Sequence, residues 1–337
     1  MPKKTVAADV AIAAGVSLAT VDRVLNGRGG VSAEKERRVL EWARKLKLDR
    51  DLERRPTRTL RVGVLMQAPS NPFYAALQRA FIRANDIYFS SNIQVTQYYY
   101  DVLDLAGTAK LLARLPRSQD ALIVILPADP VIERALEKVT AAMPVITMAT
   151  DLPASGRLAY VGLDNRSSGR TAGDLMGRFL GAAGGRIAIV SGLHSFTDQG
   201  EREEGFRQVL AEHYPSCVLD AVLETREQPE VAGALVHKVM RQHPAINGIY
   251  NLSAGDRGIV EAIKRHGREN DTVVITHELT ADRKALLKEG AIAAVIDQNP
   301  ELEALTALDI LAHHFGRSVD KLLPMQAGIA IYMRENC

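Results

Sequence analysis

A chain of 337 residues with 47% apolar content is long enough for two or three domains and a sizeable core. Its apolar runs all fall short of the roughly 18 residues a membrane span needs, which excludes a helical membrane protein. The net charge of +2 hides an asymmetry: residues 1–61 carry 15 Lys and Arg against 8 Asp and Glu, while the rest carry 27 against 32. A basic head on an acidic body predicts a nucleic-acid-binding segment joined to a body with another task.

The first nineteen residues, two lysines and then a mostly apolar stretch, superficially resemble a secretory signal. Asp9 interrupts the apolar part, which is rich in Ala rather than Leu, and the charged run Glu34–Arg58 has no role in an exported protein. The expectation is a cytoplasmic protein. Cys217 and Cys337 form neither a disulfide framework nor a metal spacing and read as free thiols.

Residues 8–27, ADVAIAAGVSLATVDRVLNG, predict two short helices joined by a tight turn. Val10 and Ala14 on the first, and Val21, Val24 and Leu25 on the second, recur at helical spacing. Gly15 suits a turn residue with positive φ, Ser17 is an N-cap, and Asn26-Gly27 ends the second helix. Such a helix-turn-helix lays its second helix in the major groove of DNA.

The run D-V-A-x-x-A-G-V-S-x-A-T-V-x-R-V-L-N-G, Asp9 to Gly27, resembles the headpiece of the LacI/GalR family of bacterial transcriptional regulators. The resemblance implies that Ser17, Leu18, Ala19, Thr20, Arg23 and Asn26 face DNA. Leu18 and Ala19 offer only apolar contact, as to a thymine methyl, whereas Arg23 can take guanine bidentately. Two positions depart from the pattern. Val6 stands where the family has a Thr cap, with Thr5 one residue further out. Asp22 replaces a Ser, and since a carboxylate there repels phosphate it is expected to pair with Arg23 or to shape base choice.

Residues 31–46 predict a third helix, with Ser32 as cap and Val39, Trp42, Ala43 and Leu46 on its apolar face. The headpiece then spans 1–47, and the charged segment 48–59 is a linker. In the family this segment forms a hinge helix that wedges a leucine into the minor groove. Here Pro56 stops a helix at or before Arg55 and the wedge leucine is missing, unless Leu52 takes its place in a shifted register.

From Leu60 short aliphatic runs alternate with helical segments: 60–66, 93–99, 121–126, 145–148, 159–161, 186–190, 218–223, 248–250, 273–276 and 293–296. This rhythm predicts parallel sheets covered by helices, with too many strands for one sheet. The resemblance implies a body like the periplasmic sugar-binding proteins: an α/β architecture of two lobes with two parallel sheets and a ligand cleft between them. The expected lobes are 60–163 with 297–323, and 164–296 with 324–337, with crossings near Leu163, 293–298 and Pro324.

Ligands of open α/β sheets sit beyond the carboxyl ends of strands. The residues there are Asn71, Phe73 and Tyr74 in a family-like S-N-P-F-[FY] run, then Asp129, then Thr150 with Asp151. They continue with Arg202 in an R-x-x-G-F run, Asn251, Asp256, His277, Glu278 and Gln298. Planar amide, carboxylate and guanidinium groups can each hold two adjacent hydroxyls, and aromatic rings stack on a sugar face. Asn71 and Asp129 read equally well as helix caps, and His277 as a satisfied buried imidazole. Ser191, His194 and Asp198 lack the nucleophile elbow of a hydrolase, the adjacent His313 and His314 cannot face one metal, and G-A-A-G-G at 181–185 precedes a strand. No metal, no cofactor and no enzymatic activity are expected.

The resulting reading is a homodimeric, sequence-specific DNA-binding regulator, a repressor, with operator DNA and a sugar or polyol effector as partners and no membrane association. The rival is an exported sugar-binding protein of an uptake system.

Overall fold

The computed structural model describes residues 6–46, 48, 58–317 and 328–337. The expectations about the hinge helix, Leu52 and Pro56, about Thr5 as a cap, and about a crossing at Pro324 lie outside the described residues.

The head is three helices: α1 (Ala7–Ala14), α2 (Leu18–Leu25) and α3 (Ala33–Lys45). Gly15 takes the left-handed conformation that ends α1 (φ 62°), and Ser17 Oγ accepts from the Thr20 N–H at 3.1 Å to start α2. The first helix is capped from within, since Asp9 reaches back to accept from the Val6 N–H at 2.9 Å. Val10, Ala14, Val21, Val39 and Ala43 form a small core, with Trp42 packed against it.

The body begins with β1 (Leu60–Gln67), α4 (Pro72–Ile87), β2 (Ile93–Tyr100), α5 (Leu105–Arg114), β3 (Ala121–Val124), α6 (Pro130–Thr140), β4 (Val145–Met148) and β5 (Ala159–Val161). These strands pair in parallel in the order β2-β1-β3-β4-β5. The second lobe follows: α7 (Asn165–Leu180), β6 (Gly185–Ser191), α8 (Thr197–His213), β7 (Cys217–Glu224), α9 (Pro229–Gln242), β8 (Ile246–Asn251), α10 (Asp256–Arg265), β9 (Val273–His277), α11 (Ala281–Glu289) and β10 (Ala294–Asp297). Strands β3 and β4 are buried at every position, as expected of strands sandwiched between helix layers.

The chain then crosses back. Helix α12 (Pro300–His314) packs on the first lobe, where Ala304, Leu308 and Leu311 join Leu77, Phe81 and Ile123 in one core. Strand β11 (Ala330–Tyr332) returns to the second sheet, whose order is β11-β10-β9-β8-β6-β7. It pairs antiparallel with β10, so the second sheet is mixed rather than wholly parallel. Three residues carry too short a pattern to read as a strand.

Helices α7 and α8 touch through glycine. A Cβ at Gly169 would lie 2.0 Å from the Arg202 carbonyl oxygen, and one at Gly205 would lie 2.1 Å from the Arg166 carbonyl oxygen. Only hydrogen at both places lets the backbones approach this closely, and the approach brings Arg202 against the foot of α7.

Candidate functional site: the cleft between the lobes

The two sheets turn the carboxyl ends of their strands toward a common cleft, and each wall residue follows a strand. The first lobe contributes Asn71, Phe73 and Tyr74 after β1, Ile125 after β3, and Ala149 and Thr150 after β4. The second contributes Phe196, Asp198, Gln199 and Arg202 after β6, Glu227 after β7, Leu252 and Ser253 after β8, Glu278 after β9 and Gln298 after β10. The enclosed space is only about 40 Å³, so the lobes stand nearly closed. Hydrogen bonds bridge the cleft: the hydroxyls of Thr150 and Thr197 meet at 2.8 Å, and the Ala128 N–H donates to the Ser195 carbonyl at 2.6 Å.

Arg202 is the anchor of the cleft and is 1% exposed. Its Nε donates to Asn165 Oδ1 at 2.9 Å, its Nη2 to Gln298 Oε1 at 3.1 Å and its Nη1 to Glu278 Oε1 at 3.5 Å. Glu278, itself in the left-handed region (φ 55°), also accepts from Arg283 Nη1 at 2.9 Å. Arg283 Nε in turn donates to Asp256 Oδ2 at 2.7 Å, and Asp256 Oδ1 accepts from Asn251 Nδ2 at 2.8 Å. A buried guanidinium left without carboxylate partners would be very costly, so the two arginines and their acceptors stand or fall together.

Of the residues read from the sequence, seven reach the cleft wall together: Asn71, Phe73, Tyr74, Thr150, Arg202, Glu278 and Gln298. Four do not. Asp129 caps α6, accepting from the Val131 N–H at 2.7 Å. Asn251 and Asp256 form the supporting chain behind Glu278. His277 turns into the core and hydrogen-bonds the Tyr250 hydroxyl at 2.7 Å, while burial and the two nearby guanidiniums hold its pKa well below the ordinary value, so it is neutral. Asn71 does two things at once, since it also caps α4 through the Phe73 N–H at 2.9 Å.

Phe196, Gln199 and Glu227 escaped the sequence reading, which weighs Asp198 only against a catalytic triad. Glu227 could have been found by the rule that found the others, because it lies just beyond the carboxyl end of β7. Burial pushes its carboxyl up to about 7, with Asp198 adding to the rise and hydrogen bonds from Gln199 and Gln67 opposing it. Asp198 is raised too, by burial, although Arg202 pulls the other way. Ser191, whose sequence neighbours suggested a triad, spends its hydroxyl on Gln199 Oε1 at 3.0 Å.

On the head, Ser17, Ala19, Thr20 and Arg23 line an open groove with Gly30, Val31, Ser32 and Lys35, and Leu18 is 54% exposed. Asp22 does not pair with Arg23. It accepts from Asn26 at 2.5 Å and Arg28 at 2.9 Å. Residues four apart share a helix face while adjacent ones point about 100° apart, so Asn26 was the natural partner and Arg23 stays free to face outward. Asn26 thus has a bond to Asp22 within the same helix end.

Comparison with known proteins agrees with both halves. Residues 7–48 match the model of bacterial regulatory proteins of the lacI family, and residues 62–317 match the periplasmic binding protein domain. The ribose operon repressor of Halalkalibacterium halodurans is 29% identical over 73% of this chain and 70% of its own length. The D-ribose/D-allose-binding protein of Pseudomonas aeruginosa is 23% identical over 75% of this chain and 82% of its own. Among solved structures, a putative LacI transcriptional regulator from Bacteroides fragilis superposes with a TM-score of 0.71 at 20% identity, covering 83% of this chain and 98% of that one. A DNA-reading head on a ligand-clasping body makes this chain a bacterial regulatory protein of the LacI family, with a periplasmic binding protein domain as its body.

Proposed function

We propose that this regulator is a repressor that binds operator DNA as a homodimer in the cytoplasm, and that a sugar or polyol held by Asn71, Phe73, Tyr74, Thr150, Arg202, Glu278 and Gln298 controls it. The carrying observation is the Arg202 cluster at the meeting of the lobes: a buried guanidinium held by three acceptors, with aromatic rings opposite. Planar polar groups plus aromatic faces are what a polyhydroxylated ring needs. Ligand-driven closure would change the lobe geometry from which the heads are hung, and so their spacing on DNA. Ser17, Leu18, Ala19, Thr20 and Arg23 form the reading surface. A head this small makes few base contacts, so two heads tethered to one dimer gain from high effective concentration.

The test has two steps. A thermal-shift screen of sugars, polyols and nucleosides finds the class, because a bound ligand raises stability by mass action. Operator DNA selected from a random pool by the full-length protein is then titrated with the hits. A sugar or polyol that raises Tm and changes operator affinity supports the reading. Hits confined to nucleosides, or sugars that bind with no effect on DNA affinity, overturn it.

A further inference from the structure

The cleft is short of positive charge. Three carboxylates line it, Asp198, Glu227 and Glu278, against the single guanidinium of Arg202. Arg283 lies behind the wall and is shared between Glu278 and Asp256. Glu278 therefore sits between two cations, while Asp198 is 3.9 Å from Arg202 and Glu227 has no cation among its hydrogen-bond partners in the described residues. The Glu227 carboxylate accepts from the neutral amides of Gln199, at 2.8 Å, and Gln67. Nearby, Glu303 is 1% exposed with neither oxygen hydrogen-bonded among the described residues, and burial pushes its carboxyl well up.

Amide and hydroxyl donors and one guanidinium 3.9 Å from Asp198 leave the negative charge of this corner uncompensated, and a cation arriving with the ligand would balance it. Hydroxyls alone can donate to carboxylates, but they return no charge. An ammonium donates three hydrogen bonds and neutralises the surplus. We infer that the effector is a polyhydroxylated compound bearing one protonated amine, an amino sugar or amino polyol, with the ammonium seated between Glu227 and Asp198 and the hydroxyls toward Arg202, Gln298 and Asn71. The inference rests on the cleft being the effector site, as proposed above. Burial raises the Glu227 carboxyl and the neighbouring Asp198 adds to the rise, and a cation placed between the two would oppose it.

The experiment is calorimetry on the full-length protein with matched pairs: D-glucose, D-galactose, D-ribose and myo-inositol, each beside the same skeleton with one hydroxyl replaced by an amine. At least one amine is expected to bind ten times more tightly than its neutral partner at pH 7.5. Glu227→Gln, and separately Asp198→Asn, should each cut that amine-to-neutral ratio at least fivefold. Operator binding by the heads reports that each variant is folded. If the neutral member of every binding pair is equal or tighter, or if the amine preference survives both substitutions, the ammonium site is wrong while the sugar-effector reading stands. If no skeleton of either kind binds, both fall.

Discussion

Thr150 of the first lobe and Thr197 of the second meet hydroxyl to hydroxyl at 2.8 Å, and the Thr197 N–H also donates to Thr150 Oγ1 at 3.1 Å. Thr197 stands at the first position of α8, about one and a half helical turns before Arg202, so the helix that carries the anchor is also the helix latched to the opposite lobe. The latch favours the closed cleft. Thr150→Val should weaken it by about 0.5–1.5 kcal/mol, the net worth of a hydrogen bond. If closure accompanies binding, effector affinity then falls by up to about tenfold. Calorimetry on Thr150→Val, Thr197→Val and the double variant forms a cycle, and fully additive losses would show that the pair is no latch.

Arg202→Ala is expected to do more than remove a ligand contact. It leaves Glu278 with one cation in place of two and strands Asn165 and Gln298. Breaking a buried pair in this way costs about 3–5 kcal/mol, so the variant should melt well below the wild type as well as lose effector binding. Asn251→Ala, which removes the donor to Asp256 together with longer bonds to Thr276 and from the Ser253 N–H, should cost less stability and weaken the effector through Glu278. A wild-type Tm for Arg202→Ala would contradict the buried network.

Acid and base act on the cleft in a defined direction. Glu227 is raised from 4.5 to about 7, so the folded chain holds this proton where the unfolded chain has lost it. Its contribution to stability is therefore complete below about pH 4.5 and is lost as pH rises through 7. The span is worth at most about 3 kcal/mol, and less for a side chain partly open to water. Glu227→Gln cannot ionise. The difference in Tm between Glu227→Gln and wild type should therefore grow in favour of the variant from pH 5 to pH 8. A pH-independent difference would mean that Glu227 titrates normally.

Arg23 has no acidic partner in α2, since Asp22 is held by Asn26 and Arg28. Arg23→Ala should weaken specific operator binding by about 1–3 kcal/mol, the usual worth of a bidentate base contact, and weaken random-sequence DNA less. Equal losses on both would restrict Arg23 to phosphate.

Asp22→Ala separates geometry from charge on the same helix. It frees Arg28 and removes a negative charge near the phosphates, so nonspecific affinity should rise and the salt dependence steepen. An unchanged salt slope would show that neither side chain lies near the DNA backbone.

Much of this protein is written locally. The turn at Gly15, the cap at Ser17 and the alternation of ten strands with helices are short-range patterns, and each is readable because backbone conformation and one-sided burial act over a few residues. The position of Arg202, Glu278 and Gln298 beyond strand ends is local in the same sense, and the architecture of two α/β lobes then makes them neighbours. The tertiary structure decided what those side chains do once together. Nothing in the run around Asn251 or His277 distinguishes a residue on the cleft wall from one just behind it, because a rotation of one side chain toward Asp256 or Tyr250 settles the matter. Strand β11 exists only because β10 offers it an edge. The charge surplus at Glu227 and Asp198 is likewise invisible in a chain whose overall charge is near balance, since it depends on which acids share an enclosed space and which bases were left outside it.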